Sequence, residues 1–251
     1  MAHFTDKVVV ITGGAGAIGK VTAEEFLAKG AKVVIVDLAA DQLDEVKEDL
    51  QSRGEIHTIQ ADVTNETDVE KYVRETVDRY GKIDVFFNNA GIEGKVAPIT
   101  EQKAEDLDKV LAVNVRGIFL GLKHVLAVMK EQKYGTVINT SSVAGLHGSS
   151  GVTPYIASKH AVVGLTKATA VEFAPYNVRV NSVHPSPANT RMMRSLEGGM
   201  GTDEGTLSKT IPLGRYAESS DVANMVLFLA DDKSDFLTGG QYLVDGGMGA
   251  L

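Results

Sequence analysis

The chain has 251 residues, 43% of them hydrophobic, a formal charge of -8 and no cysteine. An acidic balance of this size argues against binding nucleic acid or an anionic membrane, since both use a basic face, and the absence of cysteine excludes disulfides, thiolate catalysis and cysteine metal sites. What remains is a soluble protein handling small molecules, long enough to bury a substantial core.

The six histidines are scattered without zinc-ligand spacing, so no metal site is expected. Residues 1–6 hold no basic region followed by an apolar signal core, and no run of about 18 apolar residues offers a membrane span. A cytoplasmic protein is the expectation. No Pro/Gly/Ser-rich spacer, repeat or charge block marks a linker, so residues 1–251 read as one domain.

Taken in order, the β-branched run at 7–12 is a buried strand, after which a glycine-rich turn opens a helix over 17–29, closed by Gly30. A second strand at 33–36 ends on Asp37, a charged amphipathic helix covers 41–53, and a third strand at 56–61 leads to the turn Asp62-Val63. Asn65 caps the next helix, which runs to Tyr80 before Gly81. Strand four, at 83–87, runs into Asn88-Asn89-Ala90-Gly91, followed by a long helix over 104–130 and a fifth strand at 136–139. A helix over 153–173, a strand at 178–183, a loop-rich segment at 184–214, a helix at 221–229 and a last strand at 241–244 complete the chain. Continuous apolar strands separated by helices predict a parallel sheet covered on both faces, a doubly wound α/β fold.

In such a sheet, ligands bind beyond the carboxyl ends of the strands, where the strand order switches. The turn from Thr12 to Gly19 falls there. Its small residues, Gly13, Ala17 and Gly19 among them, let backbone amides approach a pyrophosphate at a helix amino end, and Ile18 is a further candidate cofactor-binding residue of the turn. Such a turn can also be a mere tight connection, but an acidic residue 18 positions beyond Gly19 favours dinucleotide binding. Asp37, a solvated loop residue on the bland reading, can accept hydrogen bonds from both ribose hydroxyls and would repel a 2′-phosphate, which points to NAD as cofactor. No arginine or lysine lies in 13–19 or 38–40, although Lys20 is close.

Of the seven tyrosines, only Tyr155 has a lysine four residues later, Lys159. On a helix the two share a face, roughly 5 to 6 Å apart. A phenol with a pKa of about 10 carries protons poorly near neutrality, and a neighbouring ammonium is expected to pull that value down. A hydroxyl from Ser142 can hold the substrate oxygen, giving the two functions that hydride transfer to or from a carbonyl requires. The pattern alone also fits a Tyr and a Lys on a solvated helix face.

Taken together, residues 12–19, Asp62-Val63, Asn88-Asn89-Ala90-Gly91, Asn114, Ser142, Tyr155 and Lys159 stand in the order and at the spacing of the short-chain dehydrogenase/reductase family, which the chain resembles over essentially its whole length. The resemblance implies a Rossmann fold, Asp62 and Val63 bracketing the adenine, and Asn89, Ala90 and Gly91 lining the cofactor cleft. It implies that Tyr155 is the general acid/base, that Lys159 lowers its pKa and holds the nicotinamide ribose, and that Asn114 holds a water in a proton relay. Family spacing selects Ser142 over Ser141, which is left to local backbone bonding. His147 borders the substrate stretch, while His124 and His160 read as structural. Family members are usually tetramers, so a homo-oligomer is expected.

Two departures stand out. Ala17 occupies the place of the family's middle glycine, a small intrusion. In His184-Pro185-Ser186-Pro187-Ala188-Asn189-Thr190, Pro185 and Thr190 keep the spacing of the segment that holds the nicotinamide carboxamide, but Ser186 replaces glycine and Ala188 an aliphatic residue. Residues 184–214 read as a substrate lid, with Met192, Met193, Leu196, Met200 and Leu207 as its apolar members and Gly198, Gly199, Gly201 and Gly205 supplying mobility. The expected activity is NAD-dependent interconversion of a secondary alcohol and a ketone. The alternatives are a 3-oxoacyl-acyl-carrier-protein reductase, for which Arg116, Lys130 and Lys133 offer a modest basic patch, and a non-catalytic NAD-binding sensor or scaffold, against which the intact Asn114, Ser142, Tyr155 and Lys159 set argues.

Overall fold

A computed structural model describes residues 4–250. Its strands are β1 (Val8–Thr12), β2 (Lys32–Asp37), β3 (Ile56–Gln60), β4 (Val85–Asn88), β5 (Gly135–Thr140), β6 (Val178–Pro185) and β7 (Gln241–Val244). All pair in parallel, in the order β3-β2-β1-β4-β5-β6-β7. Every residue of β1 and β4 is buried, as the unbroken apolar runs require of strands covered on two faces.

Alternation along the pleat divides the core. Val9, Ile11, Val33 and Ile35 face one layer, where they meet Phe26 of helix α1 (Ala17–Ala28) and, near the carboxyl end of the chain, Val222 and Val226. Val10, Val34 and Val36 face the other, against Tyr72 of helix α3 (Glu66–Tyr80), which follows helix α2 (Ala40–Leu50). Asn65 caps α3 by accepting from the Thr67 N–H at 3.0 Å, and Gly81 ends it at φ 76°. The result is the doubly wound α/β architecture expected from the strand pattern.

The long helix expected over 104–130 has an interruption. Helix α4 (Ala104–Leu111) and helix α5 (Ile118–Gln132) are joined by a π-helical turn, Ala112–Gly117. Widened turns of this kind re-aim one side chain, here that of Asn114, which grips the backbone of Ile92 from both sides. The continuous helical run Ala104–Gln132 is long and apolar enough to cross a membrane, yet half of its most apolar window is buried inside the fold, as in a core helix.

Helix α6 (Thr153–Phe173) follows β5. Beyond it, the loop-rich reading of 184–214 gives way to β6 running on to Pro185 and two further helices, α7 (Arg191–Met200) and α8 (Glu204–Leu207). Both are capped by side chains, Thr190 accepting from the Met193 N–H at 3.3 Å and Asp203 from the Thr206 N–H at 2.8 Å. Nor is every glycine here a source of mobility: a Cβ on Gly199 would lie 2.7 Å from a Val96 methyl, so this residue permits close packing. Helix α9 (Ser219–Ala230) precedes β7 and supplies Val222 and Val226 to the first core layer.

The strand order reverses between β1 and β4, which brings the turns after these two strands together. Asn89 donates its backbone N–H to Thr12 Oγ1 at 2.9 Å and its side-chain amide to the Gly13 carbonyl at 3.3 Å. Helix α1 sits so close to this turn that a Cβ on Gly19 would lie 2.4 Å from the Gly13 carbonyl oxygen and 2.7 Å from Gly14 Cα. Gly19→Ala therefore forces the helix off the turn. Overpacking of this kind costs about 1 to 3 kcal/mol, and thermal unfolding is expected to show Tm lower by roughly 2 to 12 °C; an unchanged Tm would show that the close approach is not tight.

Candidate active site

Beyond the carboxyl ends of β1, β2, β4, β5 and β6 lies a cleft of about 1190 Å3, lined from Gly13, Asp37 and Asp62 at one end to Ser142, Tyr155 and Met192 at the other. That exceeds the roughly 300 to 1,000 Å3 of pockets for drug-sized ligands, leaving room for a dinucleotide and a small second ligand together. The backbone is shaped to fit such a group. Gly13 has φ 62°, and a Cβ there would press on Ala90 Cα at 2.9 Å. Gly16, the N-cap of α1, brings no side chain to the helix's first amides, which leaves the positive end of the helix dipole to an anionic ligand.

Asp37 closes this end. Its carboxylate accepts from the N–H groups of Ala15 at 3.0 Å and Leu38 at 2.8 Å, tying the end of β2 to the glycine-rich turn. Leu38, Ala39 and Gln42 line the cleft beside it, and the ammonium of Lys20 is turned onto Asp49. Asp62 is fixed by the N–H and hydroxyl of Thr64, both at 2.8 Å. Val63 lies against the π-helical turn, where a Cβ on Gly117 would come within 2.9 Å of it. Ala17, Ile18, Ala90 and Gly91 also line the cleft.

At the other end the structure brings Ser142, Tyr155, Lys159 and Asn114 together. Tyr155 and Lys159 lie on one face of α6, with Lys159 Nζ 5.5 Å from the centroid of the Tyr155 ring. The ammonium donates to the Thr140 carbonyl at 2.9 Å and stands over the ring. Against the expected fall, the net shift on the phenol is upward. Burial pushes Tyr155 up to about 12, the Ser142 hydroxyl works against that through a hydrogen bond, and the Glu93 carboxylate adds to the rise. Burial also brings Lys159 down to about 8. Both shifts have the same largest cause, the cost of charge out of water.

Asn114 is fully buried. Its Oδ1 accepts from the Ile92 N–H at 2.8 Å, and its amide donates to the Ile92 carbonyl at 2.8 Å and to Ser158 Oγ at 3.0 Å. Both amide hydrogens are thus used, leaving one lone pair on Oδ1. A Cβ on Gly91 would fall 3.3 Å from that oxygen and 3.5 Å from Lys159 Nζ, so glycine keeps open a space that both polar atoms address. Ser141 turns inward, donating to the Lys159 carbonyl at 3.0 Å. Ser142 Oγ faces the cleft, accepts from the Ala144 N–H at 3.2 Å and lies 3.4 Å from the Pro185 carbonyl.

The departing segment after β6 is well anchored. Ser186 donates its N–H to the Val244 carbonyl at 3.1 Å, the Pro187 carbonyl accepts from Ala217 at 3.0 Å, and Thr190 caps α7. Pro185 and Thr190 both line the cleft. Met192, Met193, Leu196, Met200 and Leu207 cover its far end, with His147 and Glu93 among its polar lining. Two residues here escaped the sequence reading. Glu93 lies two positions beyond the Asn88–Gly91 motif, and His184, which the sequence places at the start of a loop, is fully buried at the end of β6. An imidazole directly after Val183, before Pro185, is the available signal.

Residues 13–249 match the family described as Enoyl-(Acyl carrier protein) reductase. The levodione reductase of Leifsonia aquatica is 40% identical over 99% of this chain and 96% of its own. The 3-oxoacyl-[acyl-carrier-protein] reductase FabG of Thermotoga maritima is 40% identical over 96% and 97%, and the cyclohexanol dehydrogenase of Acinetobacter sp. is 34% identical over 97% and 95%. Among solved structures, levodione reductase is similar with a TM-score of 0.96 at 40% identity, covering 98% of this chain and 99% of the other. NAD+-bound xylitol dehydrogenase gives 0.93 at 33% identity over 97% and 99%. ElxO with NADP bound gives 0.92 at 33% identity over 98% and 99%. With a cleft shaped for a dinucleotide and relatives of this class over nearly the whole length, the chain belongs to the short-chain dehydrogenase/reductase family and is an oxidoreductase using a nicotinamide cofactor.

Proposed function

We propose that the protein interconverts a small, largely apolar secondary alcohol and its ketone, with NAD as cofactor. The observation that carries this reading is the meeting of the Ser142 hydroxyl, the Tyr155 phenol and the Lys159 ammonium where the dinucleotide cleft opens into a chamber covered by methionine and leucine. Relatives named for levodione and cyclohexanol are consistent with it.

Bound nicotinamide supplies the hydride acceptor or donor. In oxidation, Ser142 Oγ donates to the alcohol oxygen and Tyr155 takes the hydroxyl proton as the carbonyl forms. Because the buried phenol resists ionisation, the cationic Lys159 over its ring is needed to make the phenolate accessible. Asn114, immobilised on Ile92 and Ser158, presents its remaining lone pair beside Gly91, where a water can carry the proton away from the Tyr155–Lys159 pair. In reduction the same steps run backwards, with Tyr155 as acid. The apolar faces of α7 and α8 exclude water from the chamber and serve as the lid. Exposed Phe228 and Phe236 near the carboxyl end support assembly into a homo-oligomer.

A second reading, an acyl-carrier-protein reductase, is favoured by one feature: Lys130 and Lys133 converge on the Tyr176 ring at 4.8 and 4.9 Å, forming a basic patch. Asp37 weighs against it through cofactor choice.

Tyr155→Phe keeps the ring and removes the proton carrier, so kcat for alcohol oxidation is expected to fall by at least about 10² to 10⁴, with NAD affinity unchanged. Turnover within a few-fold of wild type would remove Tyr155 from the mechanism. Cofactor choice is tested by kcat/KM for NAD and NADP with one alcohol. Hydrogen bonds to a charged group are worth about 1.5 to 3 kcal/mol, so wild type is expected to prefer NAD at least about tenfold. Asp37→Ala combined with Leu38→Arg narrows or inverts that ratio, because guanidinium engages phosphate bidentately. A wild-type preference for NADP would favour the second reading.

A further inference from the structure

The β5–β6 ladder ends one residue short of the catalytic serine. Ser141 donates its N–H to the Val183 carbonyl at 2.9 Å, and Pro185, which has no N–H, cannot supply the next backbone bond. The connection passes to a side chain. His184 Nδ1 lies 2.8 Å from the Ser142 carbonyl, and His184 Nε2 lies 2.8 Å from Ser182 Oγ. A carbonyl only accepts, so Nδ1 carries the hydrogen and Nε2 accepts from the Ser182 hydroxyl. Both ring nitrogens are used and the ring is fully buried.

Burial holds this imidazole below its ordinary pKa, with the Lys159 charge acting in the same direction against the Ser142 hydrogen bond. The ring is therefore neutral and fixed in one tautomer. The next residue completes the grip: Ser142 Oγ lies 3.4 Å from the Pro185 carbonyl, a long contact that the hydroxyl can exchange for a substrate oxygen.

We propose that His184 is a positioning residue for Ser142, its Nδ1–H on the Ser142 carbonyl fixing the hydroxyl that holds the substrate oxygen. The proposal rests on the oxidoreductase reading above. It makes the end of β6 serve twice, since the same two residues, His184 and Pro185, orient Ser142 and begin the segment that runs along the cleft to Thr190. His184 touches neither substrate nor cofactor in this account.

The test is steady-state kinetics with NAD and a secondary alcohol for wild type, His184→Ala, His184→Asn, Ser142→Ala and the double variant Ser142→Ala/His184→Ala, each first checked for cooperative thermal unfolding. His184→Ala is expected to lower kcat tenfold or more with the KM for NAD within about twofold. His184→Asn, whose amide N–H can take the place of Nδ1–H, recovers most of the loss. In the Ser142→Ala background, removal of His184 costs less than threefold, because the group it positions is already gone. Should His184→Ala fail to fold, His184→Phe replaces it in both backgrounds, keeping the ring and losing the donor.

Equal losses in both backgrounds, or an Asn variant as poor as the Ala or Phe variant, would overturn the positioning role while leaving the oxidoreductase reading intact. A Ser142→Ala enzyme as active as wild type would overturn the role of Ser142 itself, and this proposal with it.

Discussion

Thr12 Oγ1 accepts the backbone N–H groups of both Asn89 and Ala90, at 2.9 and 3.2 Å, and this clasp joins the ends of two strands at the point where the chain changes direction across the sheet. The rest of the site depends on it. It fixes Asn89, whose side chain then reaches the Thr12 and Gly13 carbonyls and accepts from the Thr140 hydroxyl at 3.0 Å. Thr140 in turn offers its carbonyl to Lys159. A chain of polar contacts thus runs from the glycine-rich turn to Lys159, and a member left unpaired where it is buried costs about 1 to 3 kcal/mol.

The same burial that excludes water works against the chemistry. A phenol pushed up to about 12 is a weak source of phenolate, and an ammonium brought down to about 8 stays charged only narrowly above neutrality. With Lys159 directed at Thr140 and held over the ring, the site's charge balance depends on what occupies the cleft beside it. Under the proposed mechanism, a phenol held protonated by burial suits the acid role in ketone reduction, and in oxidation the Lys159 charge must offset that burial.

Much of this was legible in the sequence because it is carried by local signals. The unbroken β-branched runs of β1 and β2 could only be doubly covered strands, and the turn from Thr12 to Gly19 with Asp37 beyond it marked residues that line one end of the cleft. What escaped depends on contacts between residues far apart in the chain. The π-helical turn exists where Asn114 bonds Ile92, 22 residues away, and no periodicity announces it. The helices α7 and α8 were hidden because their glycines read as mobility, although Thr190 and Asp203 are ordinary caps. The direction of the Lys159 ammonium was missed because helical spacing places a side chain on a face without saying which acceptor it finds. His184 was passed over since its partner, Ser142, lies 42 residues earlier.

The central claim is that hydride passes between a carbinol carbon and nicotinamide in this cleft, with the proton leaving by way of Tyr155. Its most direct test is isotopic. The enzyme is incubated with NAD and a cyclic secondary alcohol deuterated at the carbinol carbon, and the reduced cofactor is analysed by mass spectrometry. The account predicts one deuterium per reduced nicotinamide and a ketone product without it. Reduced cofactor free of deuterium, or no reduction with any alcohol of a cyclic and acyclic panel, would contradict it.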